Sequence, residues 1–220
     1  MKERIRDAER SRRSLIDAAT TLFARNGYDG TSLQSIADRA KVNKAMISYH
    51  FGGKRGLYAA VVKDLVSGVR ERLHALRTSK ASAPDRLAQF IHTFVEFATE
   101  RPAFGTIVLR EHLAGGERFD DEILPDFLEF FRTTQSIVRQ GVRDGAFRRV
   151  DPHAVHLSLI GSLIFFLSSQ PMRERLVDQR KIDAGAPELD EFVKHTQRLF
   201  SGGLAKPRPT RKRRARPKGE

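Results

Sequence analysis

Residues 31–57 read T-S-L-Q-S-I-A-D-R-A-K-V-N-K-A-M-I-S-Y-H-F-G-G-K-R-G-L, and the rest of the chain is best read outward from them. Thr31 or Ser32 can accept a hydrogen bond from the first free amides of a helix. Leu33, Ile36, Ala37 and Ala40 then recur at i, i+3, i+4 and i+7 and share one face. That helix ends near Ala40, and Val42 is expected to be buried in the turn that follows. Asn43 is a good cap for a second helix, in which Ile47 and Phe51 lie four residues apart on the inner side. Lys44, Ala45, Met46, Ser48 and Tyr49 are left facing outward. Two crossed helices joined by so short a turn form a helix-turn-helix, whose second helix enters a major groove.

The segment resembles the DNA-binding domain of the TetR/AcrR family of bacterial repressors, whose pattern is roughly Thr-x4-Ile-Ala-x2-Ala-Gly-Val-Ser-x4-Tyr-x-His-Phe-x2-Lys-x2-Leu. Thr31, Ile36, Ala37, Ala40, Val42, His50, Phe51, Lys54 and Leu57 stand at matching positions, over about the first quarter of the chain. Three positions depart from the pattern: Lys41 replaces the turn glycine, Asn43 the usual serine, and Ser48-Tyr49 stands where two aromatics are common. Lys41 costs strain if the turn needs a positive φ.

The composition bounds the reading. At 220 residues and 40% hydrophobic content the chain suits a small domain plus a larger one. It has no cysteine, which excludes disulfides, thiolate metal sites and cysteine nucleophiles, and fits a cytoplasmic protein. The N-terminus is charged rather than apolar, so no signal peptide is expected. The most apolar run, Leu157 to Leu167, is too short to span a bilayer, and no membrane partner is expected.

The net charge of +13 is unevenly placed. Residues 1–60 carry 12 Lys/Arg against 6 Asp/Glu, residues 61–203 carry 20 against 20, and residues 204–220 carry 8 against 1. The excess therefore sits in the helix-turn-helix head and the tail, as expected if those parts meet a polyanion. Three domains follow: a DNA-binding head over 1–60, an effector-binding and dimerisation body over 61–203, and a basic disordered tail over 204–220. The tail is expected to add a sequence-blind DNA contact through counterion release.

The expected fold is all-α. Residues 1–10 read as an irregular basic arm that can reach a minor groove. A helix from about Ser11 to Asn26 stops at Gly27, and one long helix runs from Lys54 to about Leu76. Pro84, Pro102, Pro125, Pro152 and Pro187 each precede or open an apolar-periodic segment, which places helices at about 84–100, 102–114, 122–145, 152–178 and 187–200. Pro171 is expected to kink or end the fourth of these.

Candidate sites follow from these placements. Lys44, Ala45, Met46, Gln34 and Ser48 are expected to face bases. Thr31, Ser32, Asn43, Tyr49, His50 and Lys54 are expected to hold phosphates. In the neutral body, aromatics at like depth can enclose an apolar cavity, and the resemblance implies that such a pocket holds an inducer. The candidate wall is Phe90, Phe94, Phe97, Phe104, Val108, Phe127 and Phe131, with Arg110, Glu111, His112 and Gln135 as polar groups, of which Arg110 and Glu111 read equally well as surface charges. The segment from Val155 to Leu167 is apolar nearly all round, so it needs a deep core or a partner. The resemblance implies that the last two helices form a four-helix bundle across a two-fold axis, through Leu159, Leu163, Phe166, Phe192 and Leu199.

Other chemistry is weakly represented. His153 and His156 lie three apart without a third ligand in view, so capping or packing is favoured over a metal site. No nucleophile has a base beside it, so neither an enzyme nor a cofactor is expected. The reading is a homodimeric regulator bound to a palindromic double-stranded operator and released by a small apolar or amphipathic effector. The alternative is a sequence-blind or architectural DNA binder working through its tail.

Overall fold

The computed structural model describes residues 2–119, 121–181 and 187–206, with side chains from Arg6 onward. Among these residues every regular element is a helix, and one isolated antiparallel bridge joins Phe147 and Ala205. The helix α1 spans Lys2–Asn26. It absorbs residues 2–10 of the stretch expected to form an irregular arm. Those residues are rich in Arg and Glu and include no Gly or Pro, so nothing in them interrupts a helix. Leu15, Ile16, Ala19 and Phe23 bury its inner face, and Gly27 at φ +75° ends it.

Helices α2 (Leu33–Ala40) and α3 (Ala45–Phe51) pack against α1, and α3 packs also against α4 (Lys54–Val66). Ser32 caps α2 by accepting the Ser35 amide at 3.0 Å. Lys41 closes α2 in the left-handed region at φ 56°, where glycine would be unstrained. Its amide donates to the Asp38 carbonyl, and that of Val42, half-buried in the turn, donates to the Ala37 carbonyl.

The expected single helix from Lys54 to Leu76 is two helices. The first, α4, stops at Ser67, and α5 (Val69–Thr78) starts after Gly68 at φ +77°. Leu65, Val69 and Leu73 keep a four-residue spacing across the break, so the apolar period carries no sign of it. The body continues with α6 (Ala83–Glu100), α7 (Ala103–Leu113), α8 (Leu124–Arg143), α9 (Pro152–Ser168), α10 (Gln170–Asp178) and α11 (Leu189–Leu204). The run expected over 152–178 is broken at Ser169, two residues before Pro171, and bends by 51°. No single described helix is long and apolar enough to cross a membrane.

The two ends of the body are fixed differently. At the head end, Lys63 pairs with Glu122 and Arg70 with Asp126 at the start of α8. At the far end, buried Arg86 donates to the Leu76 carbonyl, Ser136 and Gln140, tying α5, α6 and α8 together. Residues 207–220, which carry most of the basic tail, lie outside the described residues. The chain reaches them from this far end, where the Lys206 amide donates to the Ala146 carbonyl at 3.2 Å.

Candidate nucleic-acid interface

Helix α3 and Lys44 just before it divide sharply. Ile47 is fully buried, Phe51 and Met46 are half-buried against the head's core, and Lys44, Ala45, Ser48 and Tyr49 face outward. Tyr49 is 76% exposed. The Ala45 amide donates to Asn43 Oδ1 at 2.8 Å, so Asn43 acts as the helix cap. Gln34 is exposed on α2, where its amide donates to Asp38 at 2.8 Å. Lys54 opens α4 with its ammonium 4.5 Å from the Tyr28 ring centre.

Three expected DNA contacts need correction. Thr31 is 2% exposed, and its hydroxyl donates to the Gly27 carbonyl at 2.7 Å, so it braces the α1–α2 turn and offers no surface. His50 is half-buried with Nε2 enclosed and without a hydrogen-bond partner, so that nitrogen faces no phosphate. Met46 packs inward on the core more than outward. Conversely, Arg12 of α1 lies 5.6 Å over the Phe51 ring and brings a partly exposed cation beside the end of α3. Local spacing held no signal for this contact, because the two residues are far apart in the chain.

The expected effector wall is a filled core. Phe94 packs edge-to-face on Phe130 at 5.4 Å and Phe97 on Phe104 at 5.2 Å, while Phe90, Phe94, Phe97 and Phe104 are all at most 1% exposed. Val108 is buried with them. Phe127 is half-buried and stacked on Phe119 at 4.3 Å, and Phe131 lies against His153 and His156 at 5.3 and 5.4 Å. Gln135 is half-buried on α8. Arg110 and His112 are exposed; Arg110 donates to the Arg25 carbonyl at 3.2 Å and so belongs to the head–body junction. Rings that fill one another's space leave no room for a ligand among them.

Cavities open elsewhere. One of about 440 Å³ lies between α9 and α11 and is lined by Val150, Ala154, Val155, Leu199, Phe200 and Leu204 among others. A second, of about 160 Å³, touches Gly105, Ser168 and Leu189. A third, of about 350 Å³, sits between head and body against Phe23, Tyr28, Tyr58, Arg110, Glu111 and Arg118. There the Tyr58 hydroxyl donates to Glu111 Oε1 at 2.7 Å, and burial beside that carboxylate pushes the phenol far above its ordinary range.

The expected partner face also shifts. Leu159, Leu163 and Phe166 are buried in the chain's own core, with Phe166 stacked on Phe192 at 3.9 Å, so these four offer little to a partner. Leu199 is 60% exposed, together with Leu157 at 59% and Phe165 at 68%. Leu157, Gly161 and Phe165 recur every four residues along one exposed side of α9.

Buried polar groups in the body are few. Thr134 Oγ1 lies 3.2 Å from His156 Nδ1, and burial near His153 and His112 lowers the His156 pKa to about 4. Among the described residues no group of three His, Cys, Asp or Glu is placed to hold a metal.

Comparison with known proteins follows the same division of head and body. Residues 15–61 match the model of the bacterial regulatory proteins of the tetR family, and residues 80–166 match a tetracyclin repressor-like C-terminal domain. The chain belongs to the tetR family. This tetR-family chain is a DNA-binding transcriptional regulator with an N-terminal helix-turn-helix head and a helical C-terminal body. It is 25% identical over 207 residues to the HTH-type transcriptional regulator RutR of Escherichia coli O157:H7, covering 92% of this chain and 94% of RutR. It is 28% identical over 169 residues to the HTH-type transcriptional repressor NicS of Pseudomonas putida, covering 76% and 79%. The solved structure of HlyIIR, a hemolysin II transcriptional regulator, superposes with a TM-score of 0.69 at 26% identity, covering 91% of this chain and 99% of HlyIIR.

Proposed function

We propose that this tetR-family chain is a homodimeric repressor that reads a two-fold symmetric DNA site through α3 and leaves it when a small effector binds. One observation carries the reading: α3 buries Ile47 completely while holding Tyr49 three-quarters exposed beside Lys44, Ala45 and Ser48. A helix of seven residues contacts too few base pairs for tight selective binding, and two copies on a symmetric site double the contact. In this reading Lys44, Ala45 and Ser48 face base edges, with Gln34 at the rim, while Ser32, Asn43, Tyr49 and Lys54 meet the backbone.

The exposed stripe of Leu157, Gly161 and Phe165, continued by Leu199 on α11, supports the symmetric pair, since monomers rarely leave such apolar patches bare. NicS, among the relatives, is named a repressor. Domain limits of 1–60 for the head, 61–203 for the body and 204–220 for the tail fit this division of labour, and the role is regulatory rather than enzymatic. An effector acts here by favouring a spacing of the two heads that the DNA does not fit.

The basic tail starts beyond the C-terminal end of α8, whose 20 residues span about 30 Å away from the head-side ion pairs. A tail contact with the operator held by α3 therefore has to span the length of α8 first.

Gel-shift titration of Lys54→Ala against operator and unrelated duplex checks the phosphate role. The expected result is weaker binding to both by a similar factor; a changed base preference contradicts it.

A further inference from the structure

The cleft between head and body holds a polar group that nothing in the proposed function uses. Glu111 at the end of α7 is 2% exposed, and although Oε1 accepts from Tyr58, Oε2 is buried without a hydrogen-bond partner. A carboxylate oxygen left unpaired inside a protein is costly, so it is either compensated by a nearby cation or reserved for one. Three rings line the same cleft as Glu111. Phe23 meets Tyr58 edge-on at 4.9 Å, Tyr28 meets Tyr58 edge-on at 5.1 Å, and Phe23 and Tyr28 stack at 5.9 Å. Aromatic faces grouped around a buried carboxylate suit an organic cation.

The chain's own Arg118 occupies this position incompletely. Its guanidinium carbon lies 4.8 Å from the Tyr28 ring centre, and Nη1 is 3.5 Å from Glu111 Oε1, too long for a strong charged hydrogen bond. Nη2 is 3.1 Å from Asp29 of the head, which makes Arg118 a clasp between the two parts of the chain. Among the cleft's lining residues, Arg110 and Arg118 balance Glu111 and Asp29. Swinging Arg118 out leaves one more negative than positive charge among the residues lining this space of about 350 Å³, with Lys54 still against Tyr28 outside that lining.

We propose that this cleft binds a small organic cation of the guanidinium or amine class, which takes the place of Arg118 against Tyr28 and the free oxygen of Glu111. The exchange removes the Arg118–Asp29 pair, so ligand binding loosens the head from the body. That last consequence rests on the regulator reading above; the binding itself does not.

The test is isothermal titration calorimetry of the full chain with agmatine, in the absence of DNA. Removing an intramolecular competitor raises affinity, so Arg118→Ala is expected to bind agmatine at least about tenfold more tightly than the unaltered chain. Adding Glu111→Gln to that variant keeps an acceptor for Tyr58 and is expected to abolish the binding. Thermal unfolding checks that both variants are folded. A folded Arg118→Ala chain that gives no saturable heat overturns the proposal, as does affinity that survives Glu111→Gln. Agmatine is then titrated onto the unaltered protein–DNA complex. Weakened DNA binding supports the coupling between cleft and head, and an unchanged affinity refutes that coupling while leaving the calorimetric result standing.

Discussion

Helices α3 and α9 bury themselves in opposite ways. The head helix α3 has one apolar side, which its own domain covers through Ile47, and a polar side left to solvent. The body helix α9 has two apolar sides. Leu159, Leu163 and Phe166 go into the chain's own core, while Leu157 and Phe165 stay more than half exposed. The contrast shows what amphipathicity can and cannot report. A single apolar stripe identifies the inside of a helix without further help. A helix that is apolar all round says only that a second body is needed, and not which side that body takes.

The comparison is broken most severely at Phe165. If the outer side of α9 meets a second copy, Phe165→Glu places two charges near the symmetry axis. Sedimentation is expected to show a monomer, and operator affinity to fall by at least about a hundredfold, as expected when one of two half-sites is lost. A dimer of unchanged stability removes the outer face of α9 from the account. Ile47→Ala attacks the other side of the contrast. It opens a hole under α3 and is expected to lower unfolding stability by about 2–4 kcal/mol in urea, with DNA binding lost through the head's disorder.

The pH dependence sharpens the body's half of the comparison. His156 titrates near 4 in the folded chain against 6.5 for an ordinary histidine, because burial and neighbouring His153 and His112 disfavour its charged form. The unfolded chain therefore takes up a proton between those values that the folded chain refuses. Stability is full above about 6.5 and falls as the pH drops toward 4, and His156→Gln is expected to flatten that limb of a stability–pH series. An identical slope in the variant assigns the acid sensitivity elsewhere.

Smaller effects lie at the helix ends. Lys41→Gly relieves a left-handed backbone at φ 56° and is expected to stabilise the head by about 1 kcal/mol. Truncation after Lys206 keeps the buried Leu204 in place while removing most of the basic tail. It is expected to lower the salt dependence of DNA binding while leaving base preference intact; an unchanged slope removes the tail as a DNA contact.

How much of this was legible from sequence depended on whether the cause was local. Caps, the α2–α3 turn and the inner face of α3 follow from spacings of three and four residues, and Ser32, Asn43 and Ile47 sit as that spacing requires. The strain expected at Lys41 is present because the turn does use a positive φ. Breaks that preserve the apolar period were invisible, as at Gly68 between α4 and α5. Long-range packing was invisible too. Whether Phe94, Phe97 and Phe104 line a space or fill one depends on how three helices approach each other, and spacing along one helix cannot report it. Thr31 and His50 show the same limit within the site. Their residue types suit phosphate, but the α1–α2 turn and the head's packing claim them instead.

The central claim is that the outward row of α3 reads bases twice on one symmetric site. In-vitro selection of duplex DNA with the unaltered chain and with Ser48→Arg tests it most directly. The account predicts a two-fold symmetric consensus, in which the substitution changes base preference at one position in each half and leaves the half-site spacing untouched. A consensus without symmetry, or one that Ser48→Arg leaves wholly unaltered, contradicts it.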